Sequence, residues 1–335
     1  MAKTGVCPNS VHKMGADGVR IPTGDWLLKL LKNKSLPQMI KLTDKMLTES
    51  AKSVSLTRGV LTNKFGKIVV AIDKNNIPHY DKIPNMKYMV HSKYDQGTTL
   101  FQSFMTAKIV SGKMVMHIGI QLVTRGKFNP EFVRKTIQKC NKIRIGVQLF
   151  LLDREFYSTE VMRVVREFRK DFIMPAKKDG GIKRAIAEYV AGERKALSQY
   201  TISNGVLKFT FNLVIIKAPK KSKAKNMFDR YHVFATNISC RSAKNAIAYI
   251  PEEYRKRWGI ETGYRSAKSI RPKTNSKDPV IRLLFYATSL ILANIWFGLR
   301  KDTGRQVYNI ILKVLLNQMI NRFNRLYCER WPPPP

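Results

Sequence analysis

Between residues 67 and 175 the apolar positions fall into two kinds of block. Lys67-Ile68-Val69-Val70-Ala71-Ile72-Asp73 holds a run of apolar, mostly β-branched residues, and a run without alternation predicts a strand covered on both faces. It ends on an acid, Asp73, and Lys74-Asn75-Asn76 beyond it reads as a turn, in which an Asp is also at home for its local hydrogen bond. Arg144 to Leu152 is a second such run, and it too ends on an acid, Asp153. Thr98 to Val110 and Lys113 to Thr124, joined through Ser111-Gly112, read as a hairpin. Asn129-Pro130 opens a helix to about Lys142 with Phe132, Val133, Ile137 and Cys140 on its apolar side. Ser158 caps a helix to about Phe168, and Asp171 to Pro175 is a short strand. The order is therefore strand, hairpin, helix, strand, helix, strand.

The flanks are patterned differently. Residues 1 to about 60 are Lys-rich, with helices expected over Asp25 to Lys34 and from Pro37 to about Lys52; they suit either a DNA-binding module or a helical collar on the core. Ala176 to about Lys225 is basic and holds one clear strand stretch, Val206 to Ile216, as a flap over a bound polyanion or as a decorating subdomain. Two apolar helices are expected over Pro279 to Arg300 and about Gln306 to Tyr327. The uncharged run Leu283 to Leu299 is short of the roughly 20 residues of a bilayer span and reads as a buried helix.

Charge narrows the partners. Lys and Arg number 61 against 23 Asp and Glu, a net charge of +38 spread over nearly the whole chain of 335 residues. Such an excess repels itself unless a polyanion is present, so nucleic acid is the first partner to consider. It does not separate an enzyme from a scaffold-like binder. Cys7, Cys140, Cys240 and Cys328 lie far apart without a Cys-x-x-Cys pair, which excludes a zinc ribbon or a disulfide framework and makes a reducing cytosol the expected compartment. No apolar signal core opens the sequence.

Candidate chemistry concentrates in Pro251 to Lys268. A single helix is expected, with Pro251 in the first turn beside Glu252 and Glu253. At about 100° per residue, Tyr254, Arg257, Glu261, Arg265 and Lys268 share one stripe, Trp258 lies at its edge, and Gly259, Ile260, Gly263 and Ala267 fall behind. One carboxylate among cations and aromatics suits presentation to an anionic substrate; the same residues would equally make a solvated face with Arg–Glu pairs at i, i+4.

The spacing Tyr254, two residues, Arg257, three residues, Glu261, six residues, Lys268 resembles, without a gap, the Tyr-Arg-Glu-Lys signature of the insertion-sequence-four family of DDE transposases. Leu152-Asp153-Arg154-Glu155-Phe156 is similar to that family's second-acid box, and Tyr231 to Asn237 resembles the strand and Thr-Asn pair ahead of its catalytic helix. The resemblance covers roughly residues 66 to 300. It implies an α/β fold, an RNase H-like mixed sheet flanked by helices, with a β-rich insertion before the catalytic helix. The order of elements read above is the RNase H-like one, in which the first and fourth strands are neighbours and Asp73 meets Asp153. The implied division is a basic helical segment over 1–60, core over 61–175, insertion over 176–230, core with the catalytic helix over 231–300, and a C-terminal helix with a Pro tail over 301–335.

What the resemblance implies for function follows. Asp73, Asp153 and Glu261 would be catalytic and would bind two Mg²⁺ or Mn²⁺ ions, which favour hard oxygen ligands. The activity would be hydrolysis at transposon ends followed by attack of the freed 3′-hydroxyl on target DNA. The partners would be DNA, as terminal inverted repeats and target, with a homodimer on DNA, no membrane, and a cytoplasmic, nucleoid-associated location. Tyr254, Arg257 and Lys268 would grip phosphates, with Arg265 and Trp258 added from the helical wheel alone. A covalent role for Tyr254 would need a surrounding Arg and His set; His12, His79, His91, His117 and His232 form no His-x-His pair. Two further readings share the charge: a metal-dependent nuclease that cuts without joining, and an inactive DNA-binding relic.

Overall fold

A computed structural model describes residues 33–56, 68–80, 88–111, 116–124, 129–218, 226–271 and 276–302. Most of the helix expected from Asp25, the residues joining the hairpin beyond Ser111, and the helix expected from about Gln306 lie outside those residues. The described chain is a mixed α/β fold, one mixed sheet flanked by helices. Its strands are β1 (Ile68–Pro78), β2 (Val90–Asp95), β3 (Thr98–Ile109), β4 (Met116–Val123), β5 (Val147–Leu152), β6 (Asp171–Pro175), β7 (Leu197–Ser203), β8 (Lys208–Lys217) and β9 (Tyr231–Thr236). Their order is β2-β3-β1-β5-β6-β9-β8-β7, with β4 also paired to β3. The helices are α1 (Leu36–Leu56), α2 (Asn129–Lys142), α3 (Thr159–Glu167), α4 (Gly180–Val190), α5 (Ala243–Arg255), α6 (Trp258–Ile270) and α7 (Pro279–Asp302).

The two unbroken apolar runs form the centre. β1 pairs parallel with β5, and β5 parallel with β6, so the first and fourth core strands of the expected order are neighbours. Alternate residues point to opposite faces of a strand. Val70 and Ile72 of β1, with Phe150 and Leu152 of β5, pack with Phe132 and Ile137 of α2, Val161 and Val165 of α3 and Ile182 of α4. Val69, Ala71, Leu149 and Leu151 pack on the other face with Ala246 and Ile250 of α5 and Ile260 of α6. Continuous apolar runs were required because both faces are covered. At one end, α1 and α7 close the sheet over Phe104, Ile120 and Ile77. Pro279 to Phe297 is apolar enough to cross a bilayer by length and composition, and its face with Leu283, Tyr286, Ala287, Leu290 and Ala293 is buried in this cluster.

Several expectations are corrected. β1 does not stop at Asp73 but runs to Pro78, because Lys74 to Pro78 continue the antiparallel ladder with Met105 to Phe101 of β3; the expected turn at Lys74-Asn75-Asn76 is strand. β2 was not anticipated. It is mostly exposed and polar, so it lacks an apolar pattern, and it reaches β3 through Gln96 and Gly97, both at positive φ (50° and 82°), the backbone of a tight two-residue hairpin turn. In the basic segment after Ala176, α4 and β7 join the expected strand, and β7 and β8 lengthen the main sheet beyond β9. The helix expected to open at Pro251 instead opens at Ala243, capped by the Ser242 side chain accepting from the Asn245 N–H. Pro251 sits inside α5, and α6 starts at Trp258. Lys256, Arg257, Gly259 and Ile260 each donate to the carbonyl three residues back, so the chain tightens there without leaving helical dihedrals.

Candidate active site

Strand register delivers the first two acids. The parallel ladder between β1 and β5 ends at Ile72 opposite Leu152, so Asp73 is the next residue of β1 and Asp153 the residue just past the end of β5. Both share the parity of Ala71 and Leu151, the face covered by α5 and α6. The two carboxylates are anchored alike. Asp73 Oδ1 accepts from the Lys74 N–H at 2.9 Å, and Asp153 Oδ1 from the Arg154 N–H at 2.7 Å. A Lys74–Glu155 ion pair at 2.6 Å ties the residue after Asp73 to the second residue after Asp153.

The third acid arrives from α6. Ile260, Gly263 and Ala267 are buried behind that helix, as the helical wheel required, and this turns Glu261 toward the strand ends. Arg257, at the start of α6, lies between the acids: Nη1 stands 3.7 Å from Asp73 Oδ2 and Nη2 donates to Glu261 Oε1 at 2.5 Å. Burial pushes Asp73 up to about 6, Arg257 opposes the rise, and the charges of Asp153 and Glu261 add to it. The guanidinium in turn is held charged against burial by Tyr254, Asp73, Asp153 and Glu261. The three acids thus share one electrostatic field. Among the described residues no three His, Cys, Asp or Glu side chains lie close enough to ligate one ion as they stand. The donor types nevertheless suit a divalent cation: all three are hard carboxylates, and the Arg257 guanidinium supplies positive charge between Asp73 and Glu261.

The remaining stripe divides. Tyr254 is half-buried, its ring 5.2 Å from that of Phe234 and beneath the Arg257 guanidinium at 5.6 Å, and burial raises its hydroxyl well above the ordinary value. Arg265 and Lys268 are exposed and line a cleft of about 150 Å³ with Asn75, Asn76, Tyr264 and Arg271. The cleft lies just past Asp73 along β1. Trp258 is 62% exposed and is not brought to the acids by any described contact. A wider cleft of about 840 Å³ between α1, β4 and α2 contains none of the three acids.

Four residues behind the site were not anticipated. Tyr264, next to Gly263, shares a short hydrogen bond with Thr106 of β3 and reaches the Asp73 carbonyl at 3.4 Å. Thr106 is the residue opposite Asp73 in the β1–β3 ladder. Lys108, two residues on, is fully buried and donates to the Gly259 carbonyl at 3.0 Å. His117 of β4 is also fully buried, with both ring nitrogens lacking a partner. A lysine inside Phe104-Met105-Thr106-Ala107-Lys108-Ile109-Val110 was the signal in the sequence that could have found this layer.

Comparison with known proteins supplies the family. Residues 64–292, more than half of the chain, match the family model described as transposase DDE domain. No curated protein matches the chain. Among solved structures, the piggyBac transposase synaptic complex with hairpin DNA aligns at a TM-score of 0.55 and 10% identity, covering 99% of this chain and 70% of that one. The Drosophila P element transposase strand transfer complex aligns at a TM-score of 0.26 and 13% identity, covering 87% of this chain and 62% of that one. At such identities the piggyBac likeness speaks to the fold alone, and the P element alignment carries no argument. Acids delivered by adjacent parallel strands and a following helix, together with a model match over 64–292, lead to one statement: this chain belongs to the transposase DDE domain family.

Proposed function

We propose that this transposase is of the insertion-sequence-four type, with an RNase H-like core, and that Asp73, Asp153 and Glu261 are its catalytic triad of acids. The observation that supports the reading is the shared register of Asp73 and Asp153, with the Arg257 guanidinium bridging Asp73 and Glu261. Two Mg²⁺ or Mn²⁺ ions bound by these carboxylates would supply Lewis-acid activation of a water, and then of a 3′-hydroxyl, and stabilisation of the leaving oxygen. The protein's own part is to oppose, through Arg257, the rise that burial imposes on Asp73, to keep that guanidinium beside the acids until phosphate becomes its partner, and to seat the DNA backbone. Arg265 and Lys268 bind phosphate at the cleft past Asp73, and Arg257 forks onto one at the acids. Tyr254 supports Arg257 with its ring, and Trp258 offers an exposed aromatic to the DNA. The division of the chain at about residues 60, 175, 230 and 300, a dimer holding two ends, and a nucleoid-associated location belong to the same proposal.

Incubation of the full chain with pre-cut ends of its own element, a target plasmid and Mg²⁺ tests it. Joined products that disappear on Asp153→Asn are expected; cleavage of uncut ends without any joining would make the chain a nuclease, and binding without either would make it a relic. The phosphate contacts have their own readout. Lys268→Ala and Arg265→Ala should each lower the slope of log affinity against log salt by about 1 without changing sequence preference. An unchanged slope would remove that residue from the DNA interface.

A further inference from the structure

Lys108 is the most anomalous residue in the fold. It lies mid-strand in β3, fully buried, and among the described residues no carboxylate pairs with it. Its surroundings are the Gly259 carbonyl at 3.0 Å, the Phe297 ring at 5.0 Å, and the equally buried His117. An unpaired buried ammonium costs stability. The chain has nevertheless made room for it: a Cβ on Gly263 would collide with Lys108 Nζ and come within 2.9 Å of both Lys108 Cε and His117 Nε2. Gly263 is thus a notch in α6 through which Lys108 reaches the carbonyl of Gly259, two residues before Glu261.

A second tie sits beside the first. Thr106 and Lys108 are on the same face of β3, and Thr106 holds the Tyr264 hydroxyl. One helix is therefore pinned at two points, one before Glu261 and one after, to a single strand that also pairs with β1 at Asp73. Two points fix both the axial position and the rotation of a helix; one would leave it free to turn.

We infer that Lys108 is a positioning residue for the DNA-cleavage site: its ammonium, passing through the Gly263 notch onto the Gly259 carbonyl, sets with the Tyr264–Thr106 bond the rotation of α6 that directs Glu261 at Asp73. The inference rests on the assignment of Glu261 as third acid. It separates stability from activity, which a merely structural role does not. Lys108→Met keeps the length and apolar stem while removing the donor and its charge, so the variant should melt at higher temperature than wild type and still turn over more slowly.

The test uses the full chain, comparing wild type, Lys108→Met, Tyr264→Phe and Gly263→Ala. Cleavage of element-end duplex in Mg²⁺ gives kcat and KM, electron paramagnetic resonance of free Mn²⁺ gives metal affinity without DNA, and thermal melting gives stability. For Lys108→Met, kcat and Mn²⁺ affinity should each fall about 10- to 100-fold, with KM for DNA unchanged and the melting temperature raised. Tyr264→Phe should show the same loss of kcat and Mn²⁺ affinity at unchanged KM. Gly263→Ala, which obstructs the notch from the helix side, should lose Mn²⁺ affinity at unchanged DNA affinity. Wild-type kcat and Mn²⁺ affinity in Lys108→Met, or a kcat loss accompanied by a lower melting temperature, overturns the inference. A wild type that neither binds Mn²⁺ nor cuts overturns the acid assignment, and this inference with it.

Discussion

Asp73→Asn, Asp153→Asn and Glu261→Gln will each lower DNA-strand cleavage by about a thousandfold or more while leaving duplex affinity nearly unchanged. Each substitution preserves shape and removes one negative charge from the field shared by the three carboxylates and Arg257. Charge stabilisation of several kcal/mol in the transition state corresponds to three or more decades of rate. Affinity, by contrast, is set by the large excess of Lys and Arg over Asp and Glu, so loss of one acid cannot weaken it. Asp153→Asn is the most direct of the three, because the one described hydrogen bond to its carboxylate comes from the Arg154 N–H. Asp73→Asn and Glu261→Gln also change a partner of Arg257. A gel-based cleavage assay beside a filter-binding titration reads both quantities. Cleavage that survives any one of these changes removes that residue from the acid set.

The second large effect is on stability against pH. Burial alone lowers the Lys108 ammonium from 10.5 to about 7. Below pH 7 the group is protonated in both folded and unfolded chains, and the cost of burying a cation is fully present. Between about 7 and 10.5 the unfolded chain holds a proton that the folded one has released, so this group makes stability rise with pH. At 1.36 kcal/mol per unit, the full rise is roughly 5 kcal/mol. Lys108→Met should abolish it. Urea unfolding at pH 6.5 and 9.5 will therefore show a large stability gain for the variant at the lower pH and a much smaller one at the higher. Equal gains at both values would mean that Lys108 is not a buried cation. His117, held well below 6.5 by burial and by Lys108, adds its own rise below that range in wild type, and the variant relieves the second of those two causes.

Much of the site was legible because its parts obey short-range rules. Two apolar runs ending on acids announced doubly covered strands, and their parallel pairing put Asp73 and Asp153 side by side. The small and apolar residues behind α6 announced the face of Glu261. What failed were boundaries decided by partners far along the chain. β1 continues past Asp73 because β3 offers a ladder, and nothing local in Lys74-Asn75-Asn76 says so. β2 escaped because an exposed, polar strand has no periodic apolar signal. The expected start at Pro251 was wrong because Ser242 caps the helix earlier and proline is tolerated inside α5. The layer of Thr106, Lys108, His117 and Tyr264 escaped because hydrogen bonds between a strand and a helix some 150 residues later leave no spacing to read.

The last rung of the β1–β5 ladder has a consequence for engineering. Since side chains switch sides with every residue along a strand, inserting or deleting a single residue between Val147 and Leu152 would swing Asp153 to the α2–α3 side of the sheet, into an apolar layer. Length changes in β5 are thus forbidden in ones and tolerated, at best, in twos. The opposite layer, with Phe150, Leu152 and the helices against them, can by the same geometry be rebuilt in shape and size while the scissile bond meets an unaltered surface.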